Sequence, residues 1–254
     1  MLDLLIQNGF VIVLFFIVAV LYSSVGFGGG SSYLAILAIS GLLFTQVRST
    51  ALLCNIAVVT GNVVLFSRSE LYNWKKVLPL VLLSVPMSFL GGYISIGKDF
   101  FNILLGFTLL FAALTMWFSK RLANNLDADK KENHLRNSSI GGVIGFISGM
   151  VGIGGGIFLA PLLHITRWDI PKKIAATASL FILVNSISGL IGQYVNPTFS
   201  IDWNLTIILV VTVFIGGQIG SRLSQKFLSP IQLKRATAIL IAYVSIRILV
   251  LQIL

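Results

Sequence analysis

Long apolar stretches that carry almost no charge recur along the chain: Leu4 to Val47, Ala51 to Phe66, Val77 to Ile96, Phe100 to Phe118, and again after residue 138. A helix that crosses the hydrocarbon core of a bilayer needs about 20 mostly apolar residues, so the pattern predicts a chain filled with membrane segments. The breaks between stretches are short and hold most of the Lys and Arg. Only Lys120 to Ser138 is strongly polar, with Lys120, Arg121, Asp127, Asp129, Lys130, Lys131, Glu132, His134 and Arg136. It reads as a linker, not a domain.

The apolar pattern is also repeated. Val25-Gly26-Phe27-Gly28-Gly29-Gly30 recurs as Val151-Gly152-Ile153-Gly154-Gly155-Gly156. Further echoes keep the order: Ser49-Thr50-Ala51 with Thr177-Ala178-Ser179, Trp74 with Trp203, and Phe89-Leu90-Gly91-Gly92 with Phe214-Ile215-Gly216-Gly217. Self-similarity of this kind marks an internal repeat: residues 1–119 form a first repeat, 120–138 a polar cytoplasmic linker and 139–254 a second repeat.

Composition sharpens the picture. With 56% hydrophobic and 10% charged residues and a mean hydropathy of +0.96, there is too little polar surface to cover a water-soluble globule. A net charge of +10 would suggest nucleic acid in a soluble domain, but here the basic residues sit in connections between apolar stretches, where they set topology. Met1-Leu2-Asp3 places no basic residue before the first apolar run, so no cleaved signal is expected. The single cysteine, Cys54, excludes a disulfide within the chain and reads as a small packed residue.

The distribution of charge discriminates between two topologies. If each half held four simple spanning helices, the basic connections would divide almost equally between the two faces, and the positive-inside bias would vanish. If instead the glycine-rich segments 4–44 and 139–166 each bend back on themselves, the basic connections 68–76, 120–136, 167–173 and 222–235 share one side. The other side then keeps only Arg48, Lys98 and Arg247. Length agrees: the arms flanking Gly152 to Gly156 are roughly 10–13 residues, about 15–20 Å at 1.5 Å per residue, too short to span. Each half then crosses an odd number of times. The expected fold class is all-α integral membrane, built of two inverted repeats, each a glycine-tipped hairpin or broken helix followed by about three transmembrane helices.

Glycine runs let the backbone take positive φ and approach another group closely, and in lipid such irregular backbone survives only when buried in protein or lining a cavity. A helix that starts just after the run aims free N–H groups into that cavity, which makes it an anion site. The candidate substrate-binding residues are therefore Gly28, Gly29, Gly30, Ser31 and Ser32 in the first copy and Gly154, Gly155 and Gly156 in the second. Asn55, Ser179 and Asn185, on the helices that follow the hairpins, are the best polar additions. The spacing Gly141, Gly145, Gly149 reads as close helix packing. Arg48 and His164 sit where the hairpins exit and read as interfacial, and Arg247 as a snorkelling residue.

What the sequence withholds also matters. Every acidic residue reads as a loop or helix-end position, so a carboxylate proton relay is not expected. No His, Cys, Asp or Glu cluster has metal spacing, and no nucleophile has a base near it. The reading is not an enzyme, with no cofactor, no metal and no nucleic acid. The lipid bilayer is the one certain partner, and a homo-oligomer is left open.

The repeated glycine motif, the Thr-Ala-Ser and Gly-Gly echoes and the two-half length together resemble the TauE/SafE, or sulfite exporter, family of membrane permeases. The first copy departs from the pattern after its hairpin, with Ser49-Thr50-Ala51. The resemblance covers the whole chain and implies a secondary transporter for small organic or inorganic sulfur oxyanions, such as sulfite or organosulfonates, in the bacterial inner membrane. An anion channel and an intramembrane enzyme or assembly factor are the alternatives, and the motifs do not identify the substrate.

The charge comparison yields the first test. Reporter fusions should place both termini outside and Lys120–Ser138 in the cytoplasm. A cytoplasmic C-terminus together with a cytoplasmic linker would refute the odd number of crossings.

Overall fold

The structure, a computed structural model, describes residues 8–24, 26–118, 134–166, 168–223 and 230–253. Residues 119–133, most of the polar linker, lie outside the described residues. The regular elements of the described residues are all helices: α1 (Gly9–Ser24), α2 (Gly30–Ala38), α3 (Phe44–Arg68), α4 (Trp74–Tyr93), α5 (Lys98–Phe118), α6 (His134–Val151), α7 (Gly156–Ile165), α8 (Pro171–Val195), α9 (Trp203–Leu223) and α10 (Pro230–Ile253). Five helices are long and apolar enough to cross a membrane: α3, α4, α5, α8 and α9. This is an all-α multi-pass membrane fold.

The helix lengths repeat in order, 16, 9, 25, 20 and 21 residues and then 18, 10, 25, 21 and 24. At 1.5 Å per residue α7 is about 15 Å long, half the hydrocarbon thickness. Its partner arm α6 is longer than the expected 10–13 residues, because the helix starts at His134 inside the polar segment rather than at residue 139. Trp74 and Trp203 each open a helix and are each 58% exposed, the placement of an interfacial aromatic belt.

Small residues set the packing. α6 lies along α4, and a Cβ at Gly141, Gly145 or Gly149 would run into the backbone of Leu80, Ser84 or Ser88, so two stripes with the same four-residue step are pressed backbone to backbone. α9 lies along α1 in the same manner, with Gly216 against Phe16 O and Gly220 against Val20 O. The first arm of each hairpin thus packs on the fourth helix of the other half. α3 and α8 cross between them, and α5 packs on α10. Large apolar side chains such as Leu82, Phe107, Ile207 and Tyr243 face outward, as they should where the solvent is lipid.

Side-chain hydrogen bonds identify what lies at each end of the bundle. At one end Lys76 Nζ donates to Trp168 O (3.1 Å) and sits 3.9 Å from Asp169 Oδ2 and 5.6 Å from the centre of the Trp168 ring. Ser138 Oγ donates to Pro79 O there (2.9 Å). Both ends of the second hairpin therefore lie beside the start of α4, and the basic connection 68–76 neighbours residues 168–169. At the other end Ser49 Oγ donates to Ser200 O (2.9 Å), Asn196 Nδ2 to Ser95 Oγ (2.8 Å), and Asn102 Nδ2 to Gln252 Oε1 (3.0 Å).

The backbone contact of Gly145 makes a direct test. A Cβ there would lie 2.5 Å from Ser84 O, whereas one at Gly97 has nothing within 4 Å. Gly145→Ala should cost about 1–3 kcal/mol through overpacking, read as a lower melting temperature of the purified protein, while Gly97→Ala leaves it unchanged. Equal melts would mean that α4 and α6 are not in backbone contact.

Candidate functional site

The site is built from backbone before side chains. Gly29 and Gly155 are the N-caps of α2 and α7 and take the left-handed conformation, with φ of 86° and 80°, where a Cβ is strained. Neither cap has a side chain to accept from the first helical turn. The first-turn N–H groups near Gly30, Ser31 and Ser32, and near Gly156 and Ile157, are therefore left for something else to satisfy, and each helix end contributes about half a unit of positive charge.

The two tips meet at Asn55 of α3. Asn55 Nδ2 donates to Ile153 O (2.9 Å), and its Oδ1 is buried without a hydrogen-bond partner. A Cβ at Gly28 would lie 2.6 Å from that Oδ1, one at Gly30 would lie 2.6 Å from Ile153 O, and one at Gly154 3.0 Å from Asn55 Nδ2. Only glycines let the two hairpin tips close on one amide.

Beside Asn55 lies a cavity of about 40 Å³, lined from both halves by Tyr22, Gly28, Gly29, Gly30, Ser31, Asn55, Ile153, Gly156, Ile157, Pro161, His164 and Ile182. At about 10–15 Å³ for each water it has room for roughly three waters or one small oxyanion. Ser31 Oγ is buried without a partner. The halves contribute unequally: a Cβ at Gly30 meets the Asn55 amide, whereas one at Gly156 meets the apolar side chain of Ile182.

The structure thus brings together Gly28, Gly29, Gly30, Ser31, Asn55 and Gly156 at one cavity. Ser32 lies one step back, donating to Tyr22 Oη (3.0 Å). Gly154 sits against Asn55 and Ser186, and Gly155 packs on Phe181 and Ile144. Ser179 and Asn185 do not line the cavity. Ser179 Oγ donates to Gly26 O and to Ala175 O, which ties α8 to the first hairpin tip. Asn185 Nδ2 donates to Ser84 Oγ (3.0 Å) and Phe181 O (2.8 Å), at the α4 interface.

Tyr22 and His164 were not among the candidate residues. For His164 the signal was available: Gly156, Ala160 and His164 step by four along α7, and all three line the cavity. Arg48, expected at an interface, is buried at 5% exposure, because the α6–α7 turn packs over it, with Gly152 against its backbone.

A multi-pass helical protein with two broken segments meeting at a glycine-walled cavity belongs to the class of membrane transporters. Residues 11–248 match the family described as sulfite exporter TauE/SafE, and the chain belongs to that family. Its relatives include "Probable membrane transporter protein y4hK" of Sinorhizobium fredii, 30% identical over 92% of this chain and 95% of that one. "Probable membrane transporter protein MJ0441" of Methanocaldococcus jannaschii is 26% identical over 88% of each. "Probable membrane transporter protein YunE" of Bacillus subtilis is 24% identical over 85% and 88%. No solved structure matches the chain. The protein is a membrane transporter of the TauE/SafE type and not an enzyme.

The caps make the next test. A Cβ at Gly29 would lie 3.0 Å from Tyr33 Cζ and Val18 Cγ1, and one at Gly155 2.8 Å from Phe181 Cε1, so both point into the core and not the cavity. Gly29→Ala and Gly155→Ala should each lose at least the about 1–2 kcal/mol of the left-handed backbone, seen as a lower melting temperature. An unchanged melt in both would mean that neither cap is left-handed.

Proposed function

We propose that the protein is a secondary transporter that exports small sulfur-containing anions, such as sulfite or organosulfonates, across the bacterial inner membrane, holding them between its two glycine-rich hairpin tips. The observation that carries this reading is that two helix N-termini with glycine caps line one cavity with Asn55. Backbone N–H groups, Ser31 and the second N–H of Asn55 are the donors. Asn55 Oδ1 adds one acceptor, so the set suits an anion that also carries an O–H or N–H. The donors that face the anion are neutral, and selectivity follows from size and geometry.

Residues 1–119 and 139–254 act as halves of inverted orientation, joined by the cytoplasmic linker 120–138. The reading is supported by the exchanged packing of each hairpin on the other half and by the meeting of the basic connection 68–76 with residues 168–169 at one end. Rocking of one half on the other opens the shared cavity to each side in turn. An anion leaving a cell with a negative interior gains about 2.3 kcal/mol per charge per 100 mV, roughly a fifty-fold gradient, so export requires no coupling ion.

Liposomes holding purified protein alone, tested with sulfite, an organosulfonate, sulfate and thiosulfate, should show saturable flux and counterflow of at least one sulfur anion. Asn55→Ala should slow that flux about tenfold or more through loss of a buried hydrogen-bonding group. Flux without counterflow would assign a channel instead, and no flux of any of the four would overturn the substrate class.

A further inference from the structure

Arg48 stands out among the basic residues because it is buried inside a candidate membrane span. Its Nη2 donates to Gly149 O (3.3 Å), a carbonyl in the last turn of α6, while its Nε is buried without a partner. Among the described residues no carboxylate lies within ion-pair distance of it. A guanidinium with one carbonyl for company is under-compensated, since a buried charge persists only when paired and fully hydrogen-bonded.

The surroundings are polar. Arg48 lines a small cavity with Thr45, Gln193, Asn196, Thr198 and Ser200. Gln193 is 5% exposed and its Nε2 is likewise buried without a partner. Both side chains therefore line the same space, and each carries a buried donor without a partner, one of them charged. Its volume of about 10 Å³ admits roughly one oxygen-sized group in this conformation.

The position of that space relative to the Asn55 cavity gives it meaning. Arg48 and Asn55 are seven residues apart on α3, so they share a face and lie about 10 Å apart along it. The α6–α7 turn separates them: Gly152 packs against Arg48, and Ile153 O takes the Asn55 amide. A shift of this one glycine turn would join the two spaces. The other half has no counterpart, because the place that Arg48 takes beside Gly152 is taken beside Gly26 by Ala175, 3.5 Å away.

We infer that the Arg48–Gln193 cavity is a second oxyanion station, on one side of the glycine turn only, which widens when the turn moves and then holds an anion of its own beside the one in the Asn55 cavity. The inference rests on the reading of the Asn55 cavity as an anion site. The guanidinium supplies charge that the neutral first station lacks, and its presence in one half alone makes the path through the protein asymmetric, while the membrane potential sets the direction of net flux.

Equilibrium binding of radiolabelled sulfite to purified protein tests this, using wild type, Arg48→Gln, Arg48→Lys, Gln193→Met and Asn55→Ala, each first checked for a wild-type melt. Wild type should bind two equivalents. Arg48→Gln should lose one equivalent by about tenfold or more in affinity, the loss of a charge-assisted hydrogen bond, Arg48→Lys should recover part of it, and Asn55→Ala should lose the other. Gln193→Met keeps the charge and the shape, and should weaken the same equivalent as Arg48→Gln even if the latter does not fold. Two equivalents of wild-type affinity in folded Arg48→Gln or Gln193→Met would overturn the station and leave Arg48 as a clamp on the end of α6. Loss of all binding in Arg48→Gln with none in Asn55→Ala would place the only site at Arg48, so that the Asn55 reading fails instead. A wild type that binds no sulfite overturns both.

Discussion

Lipid offers no hydrogen bonds, and so every carbonyl and N–H freed where a helix breaks inside the membrane must find a partner within the protein. This chain breaks twice, at its two glycine runs. Each break is closed by a side chain from the other half: Asn55 of α3 holds Ile153 O in the second tip, and Ser179 of α8 holds Gly26 O in the first. The reciprocity explains why α3 and α8 must cross at the centre, and why the halves cannot separate without exposing backbone. It also fixes the function of the carbonyl ends and leaves the N–H ends at α2 and α7 as the groups that face the cavity.

Closing the breaks requires the hairpins to come close to the helices that enclose them. Hydrophobic side chains cannot drive that approach in lipid, where the tails are as apolar as leucine, so packing and small residues must. The stripes Gly141, Gly145, Gly149 on α6 and Gly216, Gly220 on α9 meet this need. The same glycines that would weaken a helix in water are here what admits a neighbouring backbone. Bulky side chains are correspondingly displaced to the lipid face, where Leu82 and Phe107 stand.

Much of this was legible because it rests on local rules. Charge-poor stretches of spanning length gave the helices, the repeated glycine runs gave the two breaks, and the four-residue glycine step gave the packed face. What was not legible depended on partners far away in sequence. Arg48 lies little more than one turn from the start of α3 and so looks interfacial, but its burial is imposed by a turn about a hundred residues later. Ser179 and Asn185 are both buried polar residues on α8. Six residues on a helix of 3.6 per turn separate their directions by about a third of a circle, but nothing local tells which binds a tip carbonyl and which binds α4. The start of α6 at His134 was hidden by the polarity of its first turn, which suits water beyond the membrane and not a loop.

The duplicated and the unduplicated parts of the site do different things. Glycine caps, helix N-termini and the close-packed stripes occur in both halves, where they supply backbone geometry and the positive field of a helix end. Side chains break the symmetry: Asn55 stands where Ile182 stands in the other half, and Arg48 where Ala175 stands. Two identical halves would offer an anion the same path from either side. The amide and the guanidinium both stand on one helix, α3, and the matching positions of α8 are apolar. If the proposed anion site is right, a backbone arrangement present in both halves would hold the anion and a single helix would sort it, so that side-chain changes on α3 could alter what is carried without disturbing the backbone that the membrane requires.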